Sequence, residues 1–234
     1  MAQQVFALVI GINHYKSQNI WPLSSATADA HDIAKWPVQH LQVSTEHVRV
    51  LLNKEASRQN IVHAFQEHLL ENPDVSRDDS ILISFAGYGS RVEALSGDQG
   101  RNRRREVPVL CPYDFDTKTE NGGVNAGISV PSLHAMLDAL TAGKGKNITV
   151  VLGASFALKR NLTRGPTCYV RYTPARHVTT EDLETSCLFP SDPPLHVGAR
   201  FPWFPDGGFL QPGSPSRAVL AASSDGAQTR SPGT

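Results

Sequence analysis

Net charge is the first thing this sequence lacks. Its 22 Lys and Arg residues are cancelled by 22 Asp and Glu, which argues against a protein drawn by overall charge to nucleic acid or a membrane surface. Long apolar runs are missing too. None approaches the ~18 residues a membrane span needs, and the run over residues 5–12 lacks the basic flank and cleavage pattern of a secretion signal. The expectation is a soluble, intracellular, cytoplasmic chain. Cysteine is scarce: Cys111, Cys168 and Cys187 are odd in number and far apart, which fits reduced thiols better than a disulfide frame or a zinc site. With no secretion signal, the glycosylation patterns at Asn147 and Asn161 carry little weight. Internal repeats and heptads are absent. Proline is rare early on: six of 16 precede residue 165 and ten follow it.

What is present is enough for one ordered domain. The chain has 234 residues, 40% hydrophobic and 19% charged, which excludes a disordered chain and leaves too little for two ordinary domains. The proline distribution predicts an α/β body to residue 158, a loop-rich segment over 159–216, and a last apolar strand with its tail over 217–234. Within the body, residues 5–10 form a continuous apolar run, as expected of a strand buried on both faces. Helix follows over 27–38, with Pro37 weakening its end, and a second strand over 48–52. Ser57 can cap a helix in which Ile61, Phe65 and Leu69 recur every four residues. A third strand is expected over 81–85. Ser129 can cap a further helix carrying Leu133, Met136, Leu137 and Leu140 on one face. Strands over 147–152 and 218–222 complete the pattern. Strand–helix alternation with apolar strands implies a mostly parallel sheet covered by helices.

In such sheets ligands bind at the carboxyl ends of the strands. Two segments fall there: Ser84-Phe-Ala-Gly-Tyr-Gly-Ser90 and Gly153-Ala-Ser-Phe-Ala157. Gly87 and Gly89 let the backbone turn sharply around Tyr88. If their strands are neighbours, Tyr88 and Ser155 face one cleft.

These segments, with Phe6-Ala-Leu-Val-Ile-Gly-Ile-Asn-His-Tyr15, Leu23-Ser-Ser-Ala-Thr-Ala-Asp-Ala30, Leu110-Cys-Pro-Tyr-Asp114, Asn147-Ile-Thr-Val-Val-Leu152 and Ser216-Arg-Ala-Val-Leu-Ala-Ala-Ser223, give the chain its likeness. It resembles the metacaspases, the caspase-like cysteine endopeptidases, and among them the fungal caspase-domain group. The resemblance runs over nearly the whole chain. It implies a single caspase-like domain: a three-layer α/β sandwich with a mostly parallel sheet and helices on both faces. Residues 217–234 would begin a small-subunit-like part, and the sequence stops about ten residues after its strand. A sheet cut short there would leave an edge open to another chain.

The departures carry the functional content. The resemblance places a catalytic histidine where Tyr88 stands and a nucleophilic cysteine where Ser155 stands. It places an aspartate that helps bind a basic substrate residue where Gly153 stands. That aspartate's partner corresponds to Asp29. A thiol of pKa ~8.5 is easily activated by histidine, whereas a phenol of pKa ~10 is only about 0.1% ionised at pH 7. Bringing that phenol to 7 takes about three units, or ~4 kcal/mol. Losing a nucleophile or its base costs about 10⁴–10⁶-fold in comparable proteases. The simplest reading is a pseudoprotease with little or no peptidase activity, acting by binding or regulation on a peptide or protein partner, active homologues included. The alternative is a hydrolase using Ser155 and keeping a preference for Arg or Lys. A cation beside Tyr88 would favour the enzyme, and apolar surroundings the pseudoenzyme.

Other residues support weaker readings. Calcium enters only through the resemblance, with Asp98, Asp114 and Asp116 as the candidate carboxylates. No other cofactor is expected. Arg101, Arg103, Arg104 and Arg105 read as a solvated loop, or as a protease-sensitive one. His14, His31 and His134 read as helix-surface or core residues. Residues 153–157 also come close to the nucleophile elbow of α/β-hydrolases, for which Asp182 or Asp192 with His196 would complete a triad. The last glycine of that motif is missing. The family's role in cell death or protein quality control is implied by resemblance alone.

Overall fold

The computed structural model describes residues 4–77, 79–94, 105–156, 171–185 and 217–221. Five parallel strands form the main sheet: β1 (Val5–Gly11), β2 (Val48–Leu52), β3 (Ser80–Ala86), β7 (Ile148–Gly153) and β8 (Arg217–Ala221), in the order β2-β1-β3-β7-β8. A second, antiparallel sheet contains β4 (Gly89–Ala94), β5 (Arg105–Leu110) and β6 (Ile128–Ser129).

The central strand explains the layering. Phe6, Leu8 and Ile10 on β1 face one core, and Ala7 and Val9 face another. The first core takes its cover from α2 (Arg58–Ala64), the π-helical turn that extends it (Phe65–Leu70), and α3 (Val130–Lys144), through Ile61, Phe65, Leu69, Met136, Leu137 and Leu140. The second lies under α1 (Ala26–Leu41), through Ala30 and Ala34. The small residues on both sides bring α1 close: a Cβ on Gly11 would sit 2.5 Å from that of Ala30. The result is a helix–sheet–helix sandwich, as expected of the fold class.

The capping expectations match the contacts. Ser57 Oγ accepts from Asn60 N at 3.3 Å, and Ser129 Oγ from Ser132 N at 3.1 Å. One expectation needs correction, that Arg105 lies in a loop, and the structure adds three details beside it. Helix α1 runs through Pro37 to Leu41, with Pro37 buried and its carbonyl receiving the N–H of Val43 at 3.2 Å; packing against the sheet outweighs the lost helical bond. The segment after Tyr88 is strand, because Gly89–Ala94 pairs with Arg105–Leu110. Arg105 therefore opens β5 and pairs with Ala94 as the hairpin closes, while Arg101, Arg103 and Arg104 lie outside the described residues. Within the segment expected to be loop-rich, residues 180–185 form a short helix, α4 (Thr180–Thr185).

A third apolar cluster forms between the small sheet and residues 171–185. It contains Ile20, Tyr88, Val92, Val109, Cys111, Phe115, Ala126 and Leu183. Among the described residues, no helix is long and apolar enough to cross a membrane.

Candidate functional site

Strands β3 and β7 are neighbours, with Ala86 opposite Gly153. Tyr88 and Ser155 each stand two residues beyond that pair, so both leave the sheet at its carboxyl edge. The two loops touch. Gly87 N donates to the Gly153 carbonyl at 3.4 Å. A Cβ on Gly89 would run into the Ser155 carbonyl, so glycine at this position is what lets the loops close together.

Tyr88 is buried in the third apolar cluster. Its ring lies 5.4 Å from that of Tyr15, tilted by 48°. Its backbone N–H donates to the Tyr15 hydroxyl at 2.8 Å, and its carbonyl receives Cys111 N at 3.0 Å. Burial pushes the Tyr15 phenol well above its ordinary range, with Cys111 adding to the effect. Burial likewise drives the Cys111 thiol up, reinforced by the Asp116 carboxylate. Both groups stay protonated near neutrality. Cys111 is thus a packing residue and no substitute nucleophile, since reactivity requires thiolate. The guanidinium of Arg91 is committed to Glu106, at 2.9 Å, and to the Phe156 carbonyl. Lys159, another basic residue close to these loops in sequence, lies outside the described residues.

Ser155 is half-buried. Its N–H donates to the carbonyl of Arg171 at 3.0 Å, and Gly89 N donates to the same oxygen at 2.9 Å. Thr173 N returns a bond to the Gly89 carbonyl at 3.0 Å, so residues 171–173 lie beside Gly89 as a short parallel strand, with Tyr172 bridged to it. The side chain of the same arginine crosses the cleft. Its Nη2 bonds the Asp29 carboxylate and, at 2.9 Å, Ser25 Oγ; its Nη1 donates to the Gly153 carbonyl at 3.0 Å. A Cβ on Gly153 would lie 2.8 Å from Nη1. The arginine tip therefore occupies room that any side chain at position 153 would claim.

The four residues singled out for the cleft, Tyr88, Ser155, Asp29 and Gly153, thus come together, the last two through Arg171. Of the calcium candidates, the two that lie among the described residues are engaged by protein donors. Asp114 Oδ1 accepts Arg58 N at 2.8 Å and so holds the start of α2. Asp116 is almost wholly buried and accepts His177 N at 2.8 Å, Arg176 N at 3.4 Å and His177 Nδ1 at 3.2 Å. A carboxylate already facing three donors does not suit a hard cation, which needs six to eight oxygens. Among the described residues no three His, Cys, Asp or Glu side chains assemble into a metal site; Asp98 lies outside them.

The hydrolase-elbow reading finds no support around Asp182. That carboxylate accepts Val124 N and the Thr179 N–H and hydroxyl. Burial alone would raise its pKa, but these bonds together hold it below the usual range. It is a cap for α4. Asp192 and His196 lie outside the described residues. Sequence reasoning missed Arg171, Ser25 and the bond from Tyr88 to Tyr15. Arg171 meets Asp29 from 142 positions away, and no local pattern announces such a contact.

The layered parallel sheet and its paired strand-end loops define an α/β protein of caspase-like architecture. The family model "Metacaspase, peptidase C14 domain" matches residues 6–157. The chain belongs to the metacaspase family. It is similar to Metacaspase-1 of Saccharomyces cerevisiae, in strains YJM789 and S288c, at 28% identity over 118 residues; the match covers 48% of this chain and 26% of the yeast protein. The matched part therefore spans about a quarter of those relatives' length. A crystal structure of a Geobacter sulfurreducens protein is similar over 64% of this chain and 48% of its own, at 20% identity and a TM-score of 0.46.

Proposed function

We propose that this chain is a metacaspase-like pseudoprotease that acts by binding rather than turnover. One observation carries the reading. At the position where the resemblance expects the catalytic histidine, Tyr88 is buried among Ile20, Val92, Val109, Cys111 and Phe115. A general base works best with a pKa near the working pH, and the ordinary value of a phenol, about 10, lies about three units above neutrality. Ser155 then stands at the nucleophile position with a hydroxyl far harder to activate than a thiol. Position 153 contributes only a carbonyl where the resemblance expects a carboxylate. The partner would be a peptide or protein, active homologues included.

A Ser155-dependent endopeptidase is the second reading. It is favoured by the two N–H groups of Gly89 and Ser155 aimed at one carbonyl oxygen, since such a pair is what stabilises an oxyanion in acyl transfer.

Hydrolysis of fluorogenic peptides ending in Arg or Lys separates the two. Wild type and Ser155→Ala are purified side by side and assayed with and without calcium. The expected result is no turnover above background in either protein. Turnover in wild type that vanishes in Ser155→Ala would overturn the pseudoprotease reading.

A further inference from the structure

Strand β2 closes one end of the main sheet. Among the described residues it pairs only with β1, from Ala7 opposite Val48 to Gly11 opposite Leu52. Its other side therefore offers a row of backbone N–H and C=O groups to a further strand. Native edges are blunted by proline, a bulge or charges. The sequence Val48-Arg49-Val50-Leu51-Leu52 holds no proline, its register to β1 runs unbroken, and Arg49 is its one charge. The apolar cover is also incomplete here. Under α1, Ala7 and Val9 of β1 are fully buried, whereas Val48, Val50 and Leu52 on the same face are only half-buried.

The occupant that fits is a second copy of β2. In antiparallel pairing about a two-fold axis through Val50, Val48 meets Leu52, Arg49 meets Leu51 and Val50 meets Val50 of the other copy. All five residues pair, and the two arginines do not face each other. An axis through Arg49 would set them directly opposite, which is unfavourable. An axis through Leu51 would pair only three residues within the strand, because Asn53 turns away at φ +46. Side chains alternate across a sheet, so an axis between residues would turn one copy's core face outward. Charge adds to the fit: 22 Lys and Arg against 22 Asp and Glu leave no net repulsion between copies. In the joined sheet, β1 and its mate stand three strand spacings apart, about 14 Å. The α1 helices that cover them are each about 10–12 Å across, so their side chains can close the join.

We propose that β2 is a self-association edge through which two chains merge their main sheets into a two-fold dimer. The contact is isologous, with the same five residues on each side. Strand β1 separates this edge from the ends of β3 and β7 that lead to Tyr88 and Ser155, so the cleft loops lie outside the join.

The test is sedimentation velocity of the full chain between about 1 and 100 μM. Wild type should form a reversible dimer. Val50→Lys and Val50→Glu each set like charges opposite one another across the axis, and each should weaken the dimer at least about tenfold. An equimolar mixture of the two should restore it, since lysine then meets glutamate. A wild type that stays monomeric would leave the edge to a different partner and overturn the proposal. So would a dimer indifferent to charge at position 50, or a mixture no better than the single variants. If the charged variants do not fold, cysteine cross-linking decides. With Cys168 and Cys187 replaced by serine, Val50→Cys brings two thiols across the axis at Cα separations of about 4.5–5.5 Å, within disulfide reach. Arg49→Cys leaves its pair about 8–9 Å apart, beyond that reach. Mild oxidation should link the first into a dimer and not the second. Linking of both alike, or of neither, would overturn the proposal.

Discussion

Replacing Asp116 should loosen the segment that carries Arg171. Asp116 sits in the left-handed backbone region, at φ +57, with its side chain only 1% exposed. Its carboxylate takes one good bond, from His177 N at 2.8 Å, and two longer ones, from Arg176 N at 3.4 Å and His177 Nδ1 at 3.2 Å. A hydrogen bond to a charged group is worth about 1.5–3 kcal/mol. Arg176 and His177 are exposed, so their freed N–H groups can turn to water, and about 2 kcal/mol for the whole set is the right scale. Alanine adds the strain of a left-handed conformation, about 1–2 kcal/mol, which asparagine largely escapes and glycine escapes altogether. Glycine in turn loses about 0.4–1 kcal/mol through a freer unfolded chain. The destabilisation should therefore rise in the order Asp116→Asn, Asp116→Gly, Asp116→Ala, reaching about 3–4 kcal/mol for alanine. In a domain of this size about 2–4 °C of Tm accompanies each kcal/mol. Alanine should then cost roughly 6–16 °C in a thermal melt, with urea melts giving the free energies directly. Alanine no worse than glycine, or alanine within about 0.5 kcal/mol of wild type, would refute the reasoning. If Asp116 instead served a cation, the gap between wild type and Asp116→Asn would widen in calcium and shrink in chelator. It should be the same in both.

Gly89→Ala drives a Cβ into the Ser155 backbone carbonyl, which has no flexible end to yield; a loss of about 1–3 kcal/mol in urea melts is expected, and a neutral substitution would show that the two loops do not press together. His68, whose Nε2 lies 3.1 Å from the His47 carbonyl, has its pKa lowered chiefly by burial. The folded state therefore prefers the neutral ring. Its contribution is complete above the unfolded value of about 6.5 and is lost as pH falls from there through the lower folded value. Wild type should lose more stability than His68→Gln between pH 7.5 and 5, and parallel losses would defeat the assignment. Cys111 should resist thiol reagents in the native chain and react only on unfolding, because it is fully buried and its pKa is raised; mass mapping of native-state labelling at Cys111 would show otherwise.

The parts of the fold legible in the sequence are those with local causes. The apolar run of β1, the caps at Ser57 and Ser129, and the alternation of strand and helix each follow from side chains within a few positions of one another. The β4–β5 pairing was also written locally, since Ser90 and Val92 are buried while Arg91 and Glu93 are exposed. Gly87 and Gly89 mask that alternation, because they sit where it begins. At Pro37 the local penalty is real, but burial against the sheet overrides it, and the helix runs on to Leu41. The cleft divides in the same way. Tyr88, Ser155 and Gly153 follow from strand ends that the topology makes neighbours. Arg171 lies in a stretch whose composition says only that it is irregular, and its five bonds come from α1 and the residue that caps it, from β4, from the end of β7 and from the loop after it.

The substitution at 153 and the arginine at 171 make physical sense only together. A pocket with two carboxylates, as the resemblance implies for positions 29 and 153, would keep one negative charge after accepting one guanidinium and could hold a basic ligand strongly. With glycine at 153, Asp29 and Arg171 neutralise each other, and the pocket keeps no net charge with which to attract a free cation. The carbonyl of Gly153 completes the guanidinium's hydrogen bonding without adding charge. Restoring a carboxylate by Gly153→Asp would change both quantities at once, since its Cβ crowds Nη1 while its charge attracts the same group. The guanidinium lies at the end of a flexible side chain and can shift to meet the new carboxylate. The two effects therefore separate by readout. If charge balance governs, Gly153→Asp should leave Arg171, whose side chain is only 17% exposed, protected from phenylglyoxal; if space governs, it should expose Arg171. The short approach of Nη1 to that position makes exposure the expected outcome, and protection equal to wild type would show that the missing side chain at 153 is not what admits the arginine.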